Sequence, residues 1–333
     1  MYAVNEYQYV IQKETTLGTP SLTDGGSETG LAVNVTGVPE VMPGASRQQE
    51  VRNSSGRTAK ICDMETEPKL MENTISFTTY LDESIARNML ENFTGNAISS
   101  TPASYDIEYN YSNSVSAGDS DTDWTGTFTF ARVSPNSSGT DIYPGCIVDT
   151  FSIYGGSEDE AGRLKCDVGI KSRIVPILNA DASSWTITAY ACDEERYITD
   201  LAGASAVRTI ESLAFTMESL RIDMTSGVKF YGFDTDGDPE VINRGMPEMA
   251  VNIDVGMAID STTDAFKDYM IAQDTLDLLI HNDAWASATL GVKADYCTVR
   301  DSFNIEEVKD GAFFTLPLKA TASTSGNLIQ VVI

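Results

Sequence analysis

Residues 74–81 alternate in polarity. Ile75, Phe77, Thr79 and Leu81 fall on one side of an extended chain, and Thr74, Ser76, Thr78 and Tyr80 on the other. The period then changes: Asp82 is placed to cap a helix, Ile85, Met89, Leu90 and Phe93 recur at helical spacing, and Gly95 stands where a helix ends. The same succession returns late in the chain. Met249, Val251, Ile253, Val255, Met257 and Ile259 make an apolar face opposite Ala250, Asn252, Asp254, Gly256 and Ala258. An amphipathic segment follows, with Ser261 and Asp264 at capping-box spacing and Phe266, Tyr269, Met270 and Gln273 on one face. A strand-to-helix unit at 71–93 and again at 247–273 makes the chain two related modules in series.

Further alternating runs predict strands at 105–111, 125–133, 147–154, 163–171 and 184–192 in the first module. In the second they fall at 213–224, 276–281, 288–292, 303–308 and 312–320. Leu164, Cys166, Val168 and Ile170 oppose Lys165, Asp167, Gly169 and Lys171, the mark of an antiparallel sheet with one buried and one wet face. The 147–154 and 163–171 runs read as a hairpin, and Asp310-Gly311 as a tight turn between the last two strands. Residues 15–55 are rich in Gly, Pro, Ser and Thr and read either as an extended arm that contacts another subunit or the next layer, or as a disordered stretch. The expected organisation is an arm over residues 1–55, one module over 56–200 and a second over 207–333. The expected fold class is mainly β: two tandem β-sandwich or part-barrel modules, each with one flanking α-helix.

Charge narrows the function. Across 333 residues, 49 Asp and Glu against 22 Lys and Arg leave a formal net charge of −27. Holding nucleic acid by neutralising its phosphates needs clustered cations, so that class of function is disfavoured, whereas a surface that nucleic acid passes without sticking is not. Acidity also keeps particles soluble and apart. Five cysteines (Cys62, Cys146, Cys166, Cys192, Cys297) are odd in number and lack a CxxC pair, which points to buried thiols in a reducing compartment. No signal-peptide pattern opens the sequence, and no apolar run approaches the ~20 residues of a membrane helix. Synthesis in the cytoplasm without a membrane span is expected.

Catalytic chemistry finds little footing. His281 is the single histidine, with no GxSxG nucleophile motif beside it, and its place at a strand end reads as structural. Nucleotide loops are absent, and multi-histidine zinc sites are excluded. Asp234, Asp236 and Asp238 resemble the opening of a calcium loop and form the one candidate metal site, although glycine interrupts the spacing and no later Glu completes it. A solvated turn is the plainer reading there and at Asp119, Asp121 and Asp123. Tyr105, Tyr109, Tyr111, Trp124, Phe128 and Phe130 read as cross-strand packing before they read as a stacking platform. No enzyme activity and no cofactor are expected.

Glu14-Thr15-Thr16-Leu17-Gly18-Thr19-Pro20 resembles the opening of many tailed-phage tail tube proteins. The run from Tyr143 to Ile153 through Pro144, Gly145, Cys146 and Asp149 is similar to the same family, as are the 162–169 strand and the 213–224 and 247–259 strands with the helix after them. The resemblance implies a virion structural protein, the major tail tube subunit of a siphovirus-type tail. In that family each module gives strands to a large closed barrel, with its helix outside. Two modules per chain then imply a homotrimer ring with pseudo-sixfold symmetry, stacked on further rings. Implied partners are other copies of the chain, the tape measure protein and DNA in the lumen, and the tail terminator and baseplate or tip proteins, with no membrane. The expected lumen lining is the polar side of the hairpins: Thr150, Ser152, Lys165, Asp167, Asn252 and Asp254. The competing reading is a secreted or surface β-sandwich that binds carbohydrate or mediates adhesion, against which the odd cysteines and missing signal pattern count. A carboxylate-based hydrolase is a third, supported only by the abundance of Asp and Glu.

Overall fold

The computed structural model describes residues 7–37, 39–42, 72–95, 104–108, 114–116, 124–157, 162–189, 195–202, 204–233, 235, 238–244, 250–258, 265–266, 269, 275–300, 305–308, 311–322 and 327–333. The protein is mainly β, with 57% of its described residues in strands. Its first half runs β1 (Gln8–Lys13), β2 (Thr29–Val33), β3 (Glu40–Met42), β4 (Asn73–Tyr80), α1 (Glu83–Thr94), β5 (Ser104–Glu108), β6 (Ser114–Ser116), β7 (Phe128–Val133), β8 (Ser138–Gly156), β9 (Lys165–Ser172), β10 (Ile177–Asp181) and β11 (Thr186–Thr188). The second half runs β12 (Val207–Ile210), β13 (Leu213–Ala214), β14 (Met217–Thr225), β15 (Lys229–Tyr231), β16 (Val241–Asn243), β17 (Ala250–Ala258), β18 (Leu276–His281), β19 (Gly291–Val299), β20 (Ile305–Val308), β21 (Gly311–Ala320) and β22 (Asn327–Val332).

One pairing scheme occurs twice. In the first half β1 pairs with β2 and β7, β7 with β8, and the start of β8 with β10. In the second, β12 pairs with β13 and β18, β18 with β19, and β19 with β22. A second row, β3-β4-β9-β8, is matched by β14-β17-β21-β20. The antiparallel seam between β8 and β14, from Gly156 opposite Ser219 to Thr150 opposite Thr225, fuses the two rows into one sheet. β8 belongs to both layers: residues 138–146 sit with β7 and β10, and residues 147–154 with β9. Gly145 at φ 63 lies just before the change of layer, a conformation open to glycine. β15 and β16 form a small separate sheet with β6.

The apolar faces meet in one large core. Phe151, Ile153, Val168 and Ile170 from the first half and Ile222, Val251, Ile253 and Val255 from the second belong to the same cluster. α1 closes it on one side, with Ile85, Met89, Leu90 and Phe93 buried. Asp82 caps that helix by accepting from the Ile85 N–H (2.9 Å), and Gly95 ends it in the left-handed conformation at φ 71, donating to Glu91 O (2.8 Å). In the second half Phe266 is buried in the core and Tyr269 packs beside it; apart from these two and Ala265, the helical segment expected there lies outside the described residues.

Structure and sequence expectation part ways at the amino terminus. Within residues 1–55, expected as an arm, β1 and β2 are paired strands, and Val10, Ile11 and Leu22 are fully buried. Val10 and Leu22 join Ala131, Val133, Ile142 and Trp185 in a second core inside the β1–β2–β7–β8 layer. The Gly- and Thr-rich connection between β1 and β2 is folded back over the sheet rather than extended. Residues 43–71 lie outside the described residues. β8 also begins well before the expected 147, and β10 and β22 were not foreseen.

Candidate assembly surface

Register turns the second face of the fused sheet into ordered rows. Thr78, Asp167, Ser152, Asp223, Asn252 and Lys319 lie opposite one another across β4, β9, β8, β14, β17 and β21. The next row holds Tyr80, Lys165, Tyr154, Arg221 and Asp254, and on the other side lie Ser76, Gly169, Thr150, Thr225 and Ala250. Strand alternation forces this: the intervening residues fill the core, so these must point away from it. All of Thr150, Ser152, Lys165, Asp167, Asn252 and Asp254 therefore share one half-buried polar face.

Carboxylates on this face are matched by cations. Arg221 Nε binds Asp223 Oδ2 (2.8 Å), Arg300 binds Asp254 (2.9 Å), and Lys171 Nζ lies 3.1 Å from Asp149 and 3.5 Å from Glu72. Thr78 donates to Asp167 (2.5 Å), as does the Tyr154 hydroxyl (3.1 Å), and the Arg221 guanidinium lies over the Tyr154 ring. Burial acts to raise the Asp223 carboxyl, but hydrogen bonds from Arg221 and Ser152 outweigh it and hold the group below the usual carboxylate range. Burial, with the neighbouring Asp167 charge, pushes the Tyr154 phenol up to about 12. The face is a net of short-range pairs in which Asp149, Asp223 and Asp254 each meet a cation. Arg221, Asp223 and Arg300 were missed because cross-strand partners are distant in sequence; only the alternation of β14 around Leu220, Ile222 and Met224 hinted at them.

A cleft of about 560 Å³ opens on this face, lined by Thr36, Ser76, Thr78, Thr150, Asp167 and Gly169 among others. Gly169 makes room for it, since a Cβ there would stand 2.2 Å from Thr150 Oγ1. The two ends of the fused sheet are open among the described pairings: β3 pairs with β4 alone and β20 with β21 alone.

Two of the segments that carried the family resemblance, 14–20 and 143–153, meet at Glu14. Its carboxylate accepts from Thr127 Oγ1 (2.6 Å), Thr129 Oγ1 (2.7 Å), the Gly145 N–H (2.9 Å) and the Gly18 N–H (3.0 Å). Burial raises this carboxyl despite the four donors. The Ile174 side chain covers both Gly18 and Gly145, where a Cβ would come within 2.5 and 2.4 Å of its Cδ1. This knot is a staple between β1, β7 and β8.

Other candidate chemistry is dispersed. His281 is buried at the end of β18, edge-on to Trp285 (5.9 Å), with no nucleophile beside it in its described contacts. Cys146, Cys166 and Cys297 are buried free thiols, and burial pushes each one up, Cys297 to about 12. No group of three or more metal-ligating side chains occurs among the described residues. Asp234 and Asp236 of the calcium candidate lie outside those residues, as do Asp119, Asp121, Asp123, Tyr109 and Tyr111. Phe128 and Phe130 are fully buried, Phe130 against Tyr9, Phe77 and Tyr143, so these aromatics pack the core. No helix among the described residues is long and apolar enough to cross a membrane. No protein-family model matches the chain, and no curated protein matches it.

Proposed function

We propose that the chain is a structural subunit that assembles side by side with copies of itself into a ring around a water-filled bore, the major tail tube protein of a long-tailed virus. One observation carries this reading: among the described residues, the β3-β4-β9-β8-β14-β17-β21-β20 sheet has a core on one face, a half-buried polar face on the other, and an edge strand with a single strand partner at each end. Open edges invite pairing with another chain, and closure removes them. A barrel needs roughly 16 or more strands before it leaves an aqueous channel, more than one copy supplies; three copies pass that number. The β8–β14 seam supports a three-chain ring, because the β20–β3 junction between chains would repeat a contact that already exists within one.

The polar rows suit a bore for DNA. Phosphates gain little from lysines and arginines whose charge is already taken by Asp149, Asp223 and Asp254. Paired in this way, the surface neither traps the strand by counterion release nor repels it strongly. Tape measure protein, terminator and baseplate or tip proteins are the partners this role entails.

Negative-stain microscopy of the purified chain tests the reading. Rings or tubes with a central stain-filled hole are expected. A protein that sediments as a compact monomer at micromolar concentration overturns it.

A further inference from the structure

Among the carboxylates of the polar face, Asp167 is the exception. Asp149, Asp223 and Asp254 each have a cation within 3.1 Å. Asp167 forms no ion pair among the described residues. Its Oδ1 accepts from the Thr78 and Tyr154 hydroxyls, and Arg221, which feels its charge, bonds Asp223 instead. The cleft opens beside this carboxylate. Register explains the notch: Ser76, Gly169 and Thr150 stand opposite one another across β4, β9 and β8, so the middle strand of that row carries no side chain. Thr36 and Gly37 form a further wall, held against β4 by the bond from the Thr36 N–H to Thr78 O (2.9 Å).

The lining selects a ligand class. Its polar side chains are one carboxylate and the hydroxyls of Thr36, Ser76, Thr78 and Thr150, with no lysine or arginine to hold a phosphate. The only ring among the lining residues, Phe77, is 5% exposed and belongs to the core, so no sugar face can stack on it. A hard divalent ion takes about six or more oxygens, several of them charged, and no such group gathers among the described residues. We propose that this cleft binds a primary alkylammonium group, its charge against Asp167 and its N–H donors on the Thr150 and Ser76 hydroxyls. Half-burial of Asp167 protects the pair from full screening by salt. A volume of about 560 Å³ exceeds an ammonium head and leaves room for the alkyl chain behind it. The group can come from a free diamine or polyamine, or from a lysine of a second copy. One chain supplies every residue of the site, so it stands apart from the ring reading.

Isothermal titration calorimetry with diaminobutane at low ionic strength tests it on the wild type, Asp167→Asn, Gly169→Val and Glu211→Gln, with butanediol as the uncharged probe. One site per chain is expected, silent to butanediol. Asp167→Asn and Gly169→Val should each weaken it by roughly tenfold or more. Glu211→Gln removes the same charge from the exposed β12–β13 turn and should leave binding unchanged. Asp167→Asn can still accept from Thr78 and Tyr154, so its melting temperature should stay close to wild type. Undiminished binding by Asp167→Asn, equal binding of butanediol, or an equal loss in Glu211→Gln overturns the site. Sedimentation velocity separates the sources. If a neighbour's lysine fills the cleft, Asp167→Asn and added diamine both weaken self-association; if the ligand is a free amine, neither changes it. A wild type that neither binds the diamine nor loses self-association to it overturns the proposal, whereas a monomer that binds it removes the ring reading and keeps the cleft.

Discussion

Glu14 sets two costs against each other. Burial disfavours its charge, yet four donors converge on it from β7, the turn before Cys146 and its own loop. Glu14→Ala strands those donors, and we expect a loss of about 3 kcal/mol or more in urea unfolding. Glu14→Gln keeps an acceptor, removes the buried charge and can donate to a threonine hydroxyl; it should stay within about 1 kcal/mol of wild type. The sign of the pH effect follows from the raised carboxyl: its ionised form weighs against the fold, so that contribution is favourable in acid and lost as pH rises through the folded value. Asp223 acts oppositely. Its depressed carboxyl contributes stability present above the unfolded carboxylate value near ~3.9 and lost as pH falls through the lower folded one. Tyr154, raised to about 12, contributes stability that is full below the free phenol value near ~10 and lost as pH climbs through about 12. Thermal scans should therefore show the wild type's advantage over Tyr154→Phe constant from neutrality to pH ~10 and shrinking as pH climbs from there toward about 12.

At the scale of elements, the β9 strand shows how much a missing side chain matters. Gly169 lies under Thr150, and Gly169→Val would drive a branched side chain into that hydroxyl; a cost of about 1–3 kcal/mol in denaturant unfolding is expected, with the cleft filled. Elements governed by local rules were legible beforehand. α1 was set by Asp82, its apolar spacing and Gly95, and β4, β9 and β17 by strict alternation. Their polar side was therefore also legible, residue by residue. What was hidden depends on distant contacts. The first half of β8 contains Pro144 and Gly145 and carries no alternation of its own; pairing of the residues around them with β7 and β10 makes it a strand. β1 and β2 are separated by turn-forming residues whose folded course depends on Glu14 meeting Gly145, 131 positions away. The pairing of Arg221 and Asp223 was invisible as a net, because its other members sit on β8, β9 and β17.

For the whole molecule, the β8–β14 seam makes two similar halves into one cooperative body. Ile153 and Phe151 face Ile222 and Met224 across it, and all four lie in the common core. Calorimetry should accordingly show one unfolding transition, and two well-separated transitions would mean that the seam contributes little. The seam also gives the molecule a handed order of strands with different ends, which is what lateral self-association would exploit. β8 has a mechanical consequence of its own. A single stretch of backbone, Ser138–Gly156, is woven through both layers. Sliding one layer over the other would have to strain covalent bonds instead of merely rearranging side chains. A long filament of such subunits would resist shear between its inner and outer walls and twist as a solid rod.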